Sequence, residues 1–164
     1  MFEAKETATI SEYGNQYWIV EESSQQWPDK DGPTEKVALT GSLPLECSAS
    51  EMGKLGLVSL DNFNSKRPTF KPWELKELRR QICSWVGAKS WPSLYKNSRY
   101  VWVARDSSED RLRIIPVDNC VVEPNESPLM DHVIELKCSV GPEELGAQII
   151  KAFKYATPHP ERKS

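Results

Sequence analysis

Hydrophobic and polar positions change period several times along this chain. Gln16 to Glu22 carries Tyr17, Trp18, Ile19 and Val20 in weak alternation, the pattern of a strand. Val37-Ala38-Leu39-Thr40 predicts a second short strand, and the Ser23 to Pro33 stretch between them, with Trp27-Pro28 and Asp31-Gly32-Pro33, predicts a loop. Ser48 followed by Glu51 fits a capping box, so a helix is expected from there to about Leu60. Trp73, Leu75, Leu78, Ile82, Trp85 and Val86 recur at helical spacing behind Pro72, and Gly87 stops that helix. Lys89 to Tyr95 reads as a tight turn or one helical turn. Tyr100-Val101-Trp102-Val103, Leu112 to Pro116 and His132 to Lys137 are three more strands, the first two joined as a hairpin through Asp106 to Asp110. A last helix opens at Gly141-Pro142, with Glu143 and Glu144 at its positive end, and closes near Tyr155. Residues 1–14 and 158–164 show no sustained period and are expected to fray.

These elements predict one α/β (α+β) domain over residues 1–164. Its central sheet is mainly antiparallel, of about five strands, with three main helices packed on it. One segment occurs twice. Glu51, Met52, Gly53, Leu57 and Leu60 match Glu144, Leu145, Gly146, Ile150 and Phe153, each pair 93 residues apart. Both copies read as strand end, polar turn, capped start and apolar helix. The segments 46–63 and 137–155 are either pseudo-symmetric halves or share only helix-start chemistry. Gly53 and Gly56 each cost roughly 1 kcal/mol against Ala in a helix, so close packing against a strand is expected there.

Composition narrows the class. A hydrophobic fraction of 38% and 27% charged residues suit a globular protein, and no apolar run reaches the ~20 residues of a membrane span. The N-terminus is polar and acidic with no apolar core after it, so it is not a signal peptide and the expected location is cytoplasmic. Cys47, Cys83, Cys120 and Cys138 form no C-x-x-C pair; free buried thiols are expected. The net charge of −3 conceals segregation: residues 1–35 balance at −6, residues 64–113 at +7 and residues 114–146 at −6. Such blocks pair with one another or face a partner of opposite sign.

Chemistry-bearing patterns are sparse. Asp131-His132 could be two members of a triad, but no Gly-x-Ser-x-Gly or cysteine elbow accompanies them. Neither a phosphate loop nor a dinucleotide fingerprint is present, and no His/Cys/Asp group has metal spacing, so no catalytic residue, cofactor or metal is assigned. The basic stretch Lys66 to Arg80 interleaves with Phe70 and Trp73, yet the overall pI of about 5.5 argues against direct nucleic-acid binding. Of six tryptophans, Trp27 and Trp91 stand beside prolines in turn-like segments, where an exposed ring can anchor an interface. The inventory favours binding over catalysis.

The order of parts resembles a known family. A strand and loop precede the Glu51-Met52-Gly53 helix. A tryptophan-bearing helix then ends at Gly87-Ala88-Lys89-Ser90-Trp91, followed by Leu94 and Lys96, two strands ending at Ile115-Pro116, and a strand feeding Glu144-Leu145-Gly146. This is similar to the contact-dependent growth inhibition immunity proteins, the CdiI family, from roughly Tyr17 to Tyr155; the acidic stretch Ser23 to Glu35 has no counterpart. The resemblance implies a cytoplasmic protein that binds one cognate toxin, the C-terminal domain of a CdiA effector, as a one-to-one heterodimer. It would block that toxin's active site or substrate path. Such toxins are often nucleases acting on tRNA or DNA. An inhibitor gains attraction by presenting carboxylates to a nuclease's basic groove. The candidate toxin-binding residues are therefore Trp27, Asp29, Asp31 and Glu35, and second the hairpin tip Asp106, Glu109 and Asp110. The alternatives are a generic protein-interaction module, or a small enzyme with a site near Asp131/His132 or Cys120.

Overall fold

Strands that bury one face and wet the other set the architecture. In the computed structural model, which describes residues 6–25, 34–62, 69–70, 74–119 and 127–160, the strands are β1 (Glu6–Tyr13), β2 (Gln16–Gln25), β3 (Thr34–Pro44), β4 (Thr69–Phe70), β5 (Arg99–Asp106), β6 (Arg111–Asp118), β7 (Ser127–Pro128) and β8 (Ile134–Leu136). The helices are α1 (Ala49–Asp61), α2 (Leu75–Val86), α3 (Trp91–Lys96) and α4 (Pro142–Ala152). All strands join one antiparallel sheet in the order β4-β3-β2-β1-β5-β6-β7, with β8 also on β6. Among the described residues six strands have three residues or more, slightly above the expected five. The α+β class is as the pattern predicted.

β1 corrects the expectation of a frayed N-terminus. It lies mid-sheet between β2 and β5, with Ala8 and Ile10 buried on one side. Its alternation is muted because Thr7, Thr9 and Ser11 face the other side, and Glu12, buried, is paired with Arg99. The chain is also anchored just before and at the described start of the tail expected to fray from Pro158. Thr157 bridges to Asp118 in parallel, and His159 is buried edge-on against Tyr95. The turn joining the first two strands, Gly14-Asn15, has φ of 61° at both residues, the left-handed geometry a two-residue hairpin needs. The strand expected from His132 begins only at Ile134, since Met130–His132 form a 3-10 turn.

Strand register shows that the matched helix segments belong to a larger repeated unit of three strands and a helix. β1 and β5 begin 93 residues apart and pair with each other so that Thr9 faces Trp102, its own counterpart at that offset. Ile10 pairs with Ile19, as Val103 pairs with Ile114, an offset of 95 for the second strands. Two residues form the turn after β1 and four the turn after β5, which accounts for the difference of two. The third strands return to 93: Ile19 pairs with Gly41, and Ile114 with Ile134. α1 and α4 begin 93 apart. Residues 6–62 and 99–155 are thus two βββα units related by a local two-fold axis through the Thr9/Trp102 pair.

α1 and α4 cross on the sheet's inner face, enclosing Met52, Leu60, Leu145 and Ile149 with Ile10, Ile19, Val101, Val103, Leu112 and Ile114. The capping box predicted for α1 is present: Glu51 N–H donates to Ser48 Oγ at 3.1 Å, and Ser48 N–H donates to Glu51 Oε2 at 2.8 Å. Its glycine packs against a helix, not the expected strand. A Cβ on Gly53 would lie 1.7 Å from the Pro142 carbonyl oxygen, and a Cβ on Gly146 would lie 1.7 Å from that of Ala49. Those two contacts are the same contact seen from each unit. Gly56 meets only the Ile149 and Leu145 side chains, at 3.5 and 3.9 Å.

The chain between the units covers the opposite face. α2 seats Leu78, Ile82 and Trp85 on Val20 and Leu39; Cys83, Val86 and α3's Leu94 pack with Tyr13 and Trp18. Val20 neighbours Ile19 on β2 and so points away from the α1/α4 core. Gly87 ends α2 in the left-handed conformation, φ 73°, as its position in the sequence predicted. Pro72 and Trp73, expected to open this helix, lie outside the described residues. Asn119, fully buried, ties the insert to the sheet: its Nδ2 donates to the carbonyls of Tyr95 and Ser98 at 2.9 and 3.0 Å.

Candidate functional site

The hairpin between β5 and β6 turns through four residues, and its acids are held by local geometry. Asp106 is buried at the start of a 3-10 turn, Ser107–Glu109; its Oδ1 accepts from the N–H and hydroxyl of Ser108 at 2.9 and 2.6 Å. Asp106 thus holds the turn through Oδ1, and its side chain is buried rather than presented to solvent. Asp110 occupies the left-handed region at φ 49° and accepts from the Cys138 N–H at 3.1 Å. Glu109 pairs with Arg111, and Glu135 with Arg113.

Beside this turn, β8 and the hairpin tip enclose a shallow depression of about 380 Å³ lined by Glu109, Asp110, Arg111, Glu135, Leu136 and Lys137. Glu109, Asp110 and Glu135 are exposed. Three carboxylates and two cations around one apolar side chain suit a charged partner surface. The sequence identified two of these acids. It missed Glu135, which enters only because β8 pairs with β6 across 22 residues.

Trp27, Asp29 and Asp31 fall outside the described residues, in the connection between β2 and β3. Glu35 lies on β3, its backbone between Ser24 and Phe70. The loop expected from Ser23 starts later, because Ser23, Ser24 and Gln25 continue the β2–β3 ladder beyond Glu22, the last β2 residue paired with β1. Trp91 packs on the α2/α3 cluster with the Arg79 guanidinium 5.1 Å from its ring centroid.

His132 is exposed, stacked on Tyr155 with ring centroids 4.2 Å apart and planes 13° from parallel. Asp131 is exposed beside it. Of the thiols, Cys83 is buried as expected, whereas Cys47 and Cys138 are only partly so. Burial pushes the pKa of all three up, the reverse of nucleophile activation; at Cys138 the neighbouring Asp110 adds to the rise. Cys120 lies outside the described residues. Among the described residues no three His, Cys, Asp or Glu side chains group as a metal site, and no helix is long and apolar enough to cross a membrane.

No family model matches the sequence, and no curated protein does. Solved structures do match. One is a protein of unknown function from Neisseria meningitidis, with a TM-score of 0.66 at 16% identity over 96% of this chain and 99% of that one. Another is a chain of a CdiA-CT/CdiI toxin and immunity complex from Yersinia pseudotuberculosis, with a TM-score of 0.63 at 13% identity over 93% of this chain and 97% of that one. The fold is shared with one chain of that complex. At these identities the likeness concerns backbone architecture, and it spans both βββα units and the insert between them.

Proposed function

We propose that this protein is an immunity protein that binds and neutralises the toxin domain of a contact-dependent growth inhibition system. The observation that carries the reading is the end-to-end fold likeness to a chain of a CdiA-CT/CdiI complex. In this reading the protein works in the cytoplasm by occlusion, as a one-to-one complex, with no catalysis of its own. The toxin is a nuclease, with tRNA the first substrate to test. The carboxylates Glu109, Asp110 and Glu135 around the hairpin depression meet its basic groove, where charge complementarity speeds encounter and fixes register. Neutralisation at cellular concentrations calls for a Kd around nanomolar, about −12 kcal/mol.

The test is co-expression with the toxin domain encoded beside this gene. Growth rescue and co-elution at the summed mass of one copy of each are expected. A toxin whose lethality is untouched, with no complex on a sizing column, overturns the reading. Reversing Glu109, Asp110 and Glu135 to lysine is expected to weaken a complex by at least ~100-fold, mostly through slower association; unchanged affinity moves the interface elsewhere.

A further inference from the structure

The residues that follow α4 have a sequence logic of their own. Thr157 and His159 each precede a proline, which keeps both out of the helical region and stops α4 from running on. The segment alternates instead: Pro158 and Pro160 are exposed, and His159 between them is buried. The prolines also stiffen this strap while it is free, so docking it costs little chain entropy. It docks on the end of β6. The Thr157 N–H donates to the Val117 carbonyl at 3.2 Å, and the Thr157 hydroxyl donates to Asp118 Oδ1 at 2.5 Å. The Asn119 N–H is shared between the Thr157 carbonyl and hydroxyl oxygens, at 3.3 and 3.2 Å.

Asn119 passes this docking on to the insert. Its backbone receives the strap, and its side chain holds the Tyr95 and Ser98 carbonyls, where α3 runs into β5. Tyr95 of α3 meets two rings, His159 edge-on at 5.7 Å and Tyr100 of β5 at 6.5 Å between centroids. The next side chain back, Leu94, packs with Cys83 and Val86 of α2 and with Tyr13 and Trp18 of the sheet. Strap, Asn119, α3 and Cys83 are thus joined in series. In this closed form Asn119 Oδ1 is buried and accepts no hydrogen bond among the described residues, a cost that release of the strap removes by admitting water. The α1/α4 core lies on the opposite face and shares no residue with the cluster around Cys83.

We propose that the strap, residues 157–160, is a latch for the insert. Docked, it holds α3 closed on the sheet. When it leaves, α3 and the part of α2 around Cys83 loosen together, while the two βββα units stay folded. The latch is a local opening unit with a stability below that of the whole fold. This inference is independent of the toxin reading.

The test uses Cys83 as the reporter, because the α3 packing that covers it is what the latch holds. The full-length chain is treated with iodoacetamide without denaturant, and each alkylated cysteine is located by peptide mass mapping. His159→Ala removes the ring over Tyr95 and is expected to raise the Cys83 rate at least ~10-fold. Thr157→Val removes only the hydroxyl bonds to Asp118 and Asn119 and is expected to give a smaller rise. Cys138, beside Asp106 at the far end of β5, is expected to keep its rate in both. In urea below the unfolding transition, the Cys83 rate of His159→Ala is expected to stay nearly flat, because a local opening exposes little surface. The proposal is overturned if neither variant changes the Cys83 rate. It is equally overturned if that rate climbs with urea at the slope of global unfolding, or if His159→Ala fails to fold, since either result ties the strap to the whole fold and not to the insert.

Discussion

Replacing Gly53 with alanine sets a gain against a loss that the helix crossing makes unequal. Away from neighbours, Gly→Ala in a helix interior stabilises by about 1 kcal/mol. Here the added methyl carbon would sit 1.7 Å from the Pro142 carbonyl oxygen, with the Pro142 carbonyl carbon at 2.5 Å. Both obstacles are backbone, so relief requires the helices to part by roughly 1.5 Å, to ordinary van der Waals separation. The parting loosens Met52, Leu60, Leu145 and Ile149, all fully buried. Overpacking with partial loss of those contacts costs about 4 kcal/mol, leaving a net loss of about 3 kcal/mol. In a domain of this length that lowers Tm by about 6–12 °C. Gly146→Ala makes the symmetry-related clash with Ala49 and is expected to fall by a similar amount. Gly56→Ala meets only side chains at ordinary distances and is the internal control, gaining up to about 1 kcal/mol. Thermal and urea unfolding followed by circular dichroism give all three values. A Gly53→Ala protein as stable as the parent would show that the crossing can open freely and would refute the reasoning.

Three further outcomes follow from residues already described. Hydrogen bonds from the Ser48 backbone and hydroxyl interactions hold the Glu51 carboxyl below its usual range, so its capping contribution is complete above the unfolded-state value and disappears as pH falls through the lower folded one; Glu51→Gln is expected to flatten the acid limb of the stability–pH curve, and an unchanged limb would exclude the box as its source. Asn119→Leu leaves the Tyr95 and Ser98 carbonyls without their donor in a buried site and is expected to cost about 2–4 kcal/mol by urea unfolding; a loss under 0.5 kcal/mol would mean that solvent reaches them. Cys83, on the buried side of α2 with its thiol pKa raised, is expected to resist alkylation in the native state and to react at the rate of a free thiol only in denaturant, as peptide mass mapping would show.

Local chemistry was legible in the sequence where it acts within a few residues. Ser48 and Glu51 announced α1, Gly87 ended α2, and the spacing of Gly53 and Gly146 revealed the helical part of the duplication. The strand part was hidden for a physical reason. A turn longer by two residues breaks the constant offset at β6, and the matched core positions keep only apolar character, as Ala8 and Ile10 do against Val101 and Val103. β1 hides its strand character because three of its eight side chains, Thr7, Thr9 and Ser11, lie on the outer face, and Glu12 reads as exposed until Arg99 arrives from 87 residues away. The hairpin acids were found as a group, but their division into a turn-former, Asp106, and rim carboxylates depends on Ser108 and Cys138 backbone contacts that no spacing rule contains. Glu135 joins them only through strand pairing.

The central position of β1 also orders events during synthesis. β1 precedes every other described strand, yet it is flanked on both sides only when β5 is complete at Asp106, after β2 and β3 have both neighbours. At ~5–20 residues per second, the 44 residues from Asn62 to Asp106 take roughly two to nine seconds to add. Throughout that interval the finished first unit carries Ala8, Ile10, Met52 and Leu60 on a surface without its mate. α2 and α3, emerging next, shield only the other side of the sheet. The nascent chain therefore passes through a stage that favours chaperone capture, and crowded polysomes would bring neighbouring copies together at the very surface awaiting its partner.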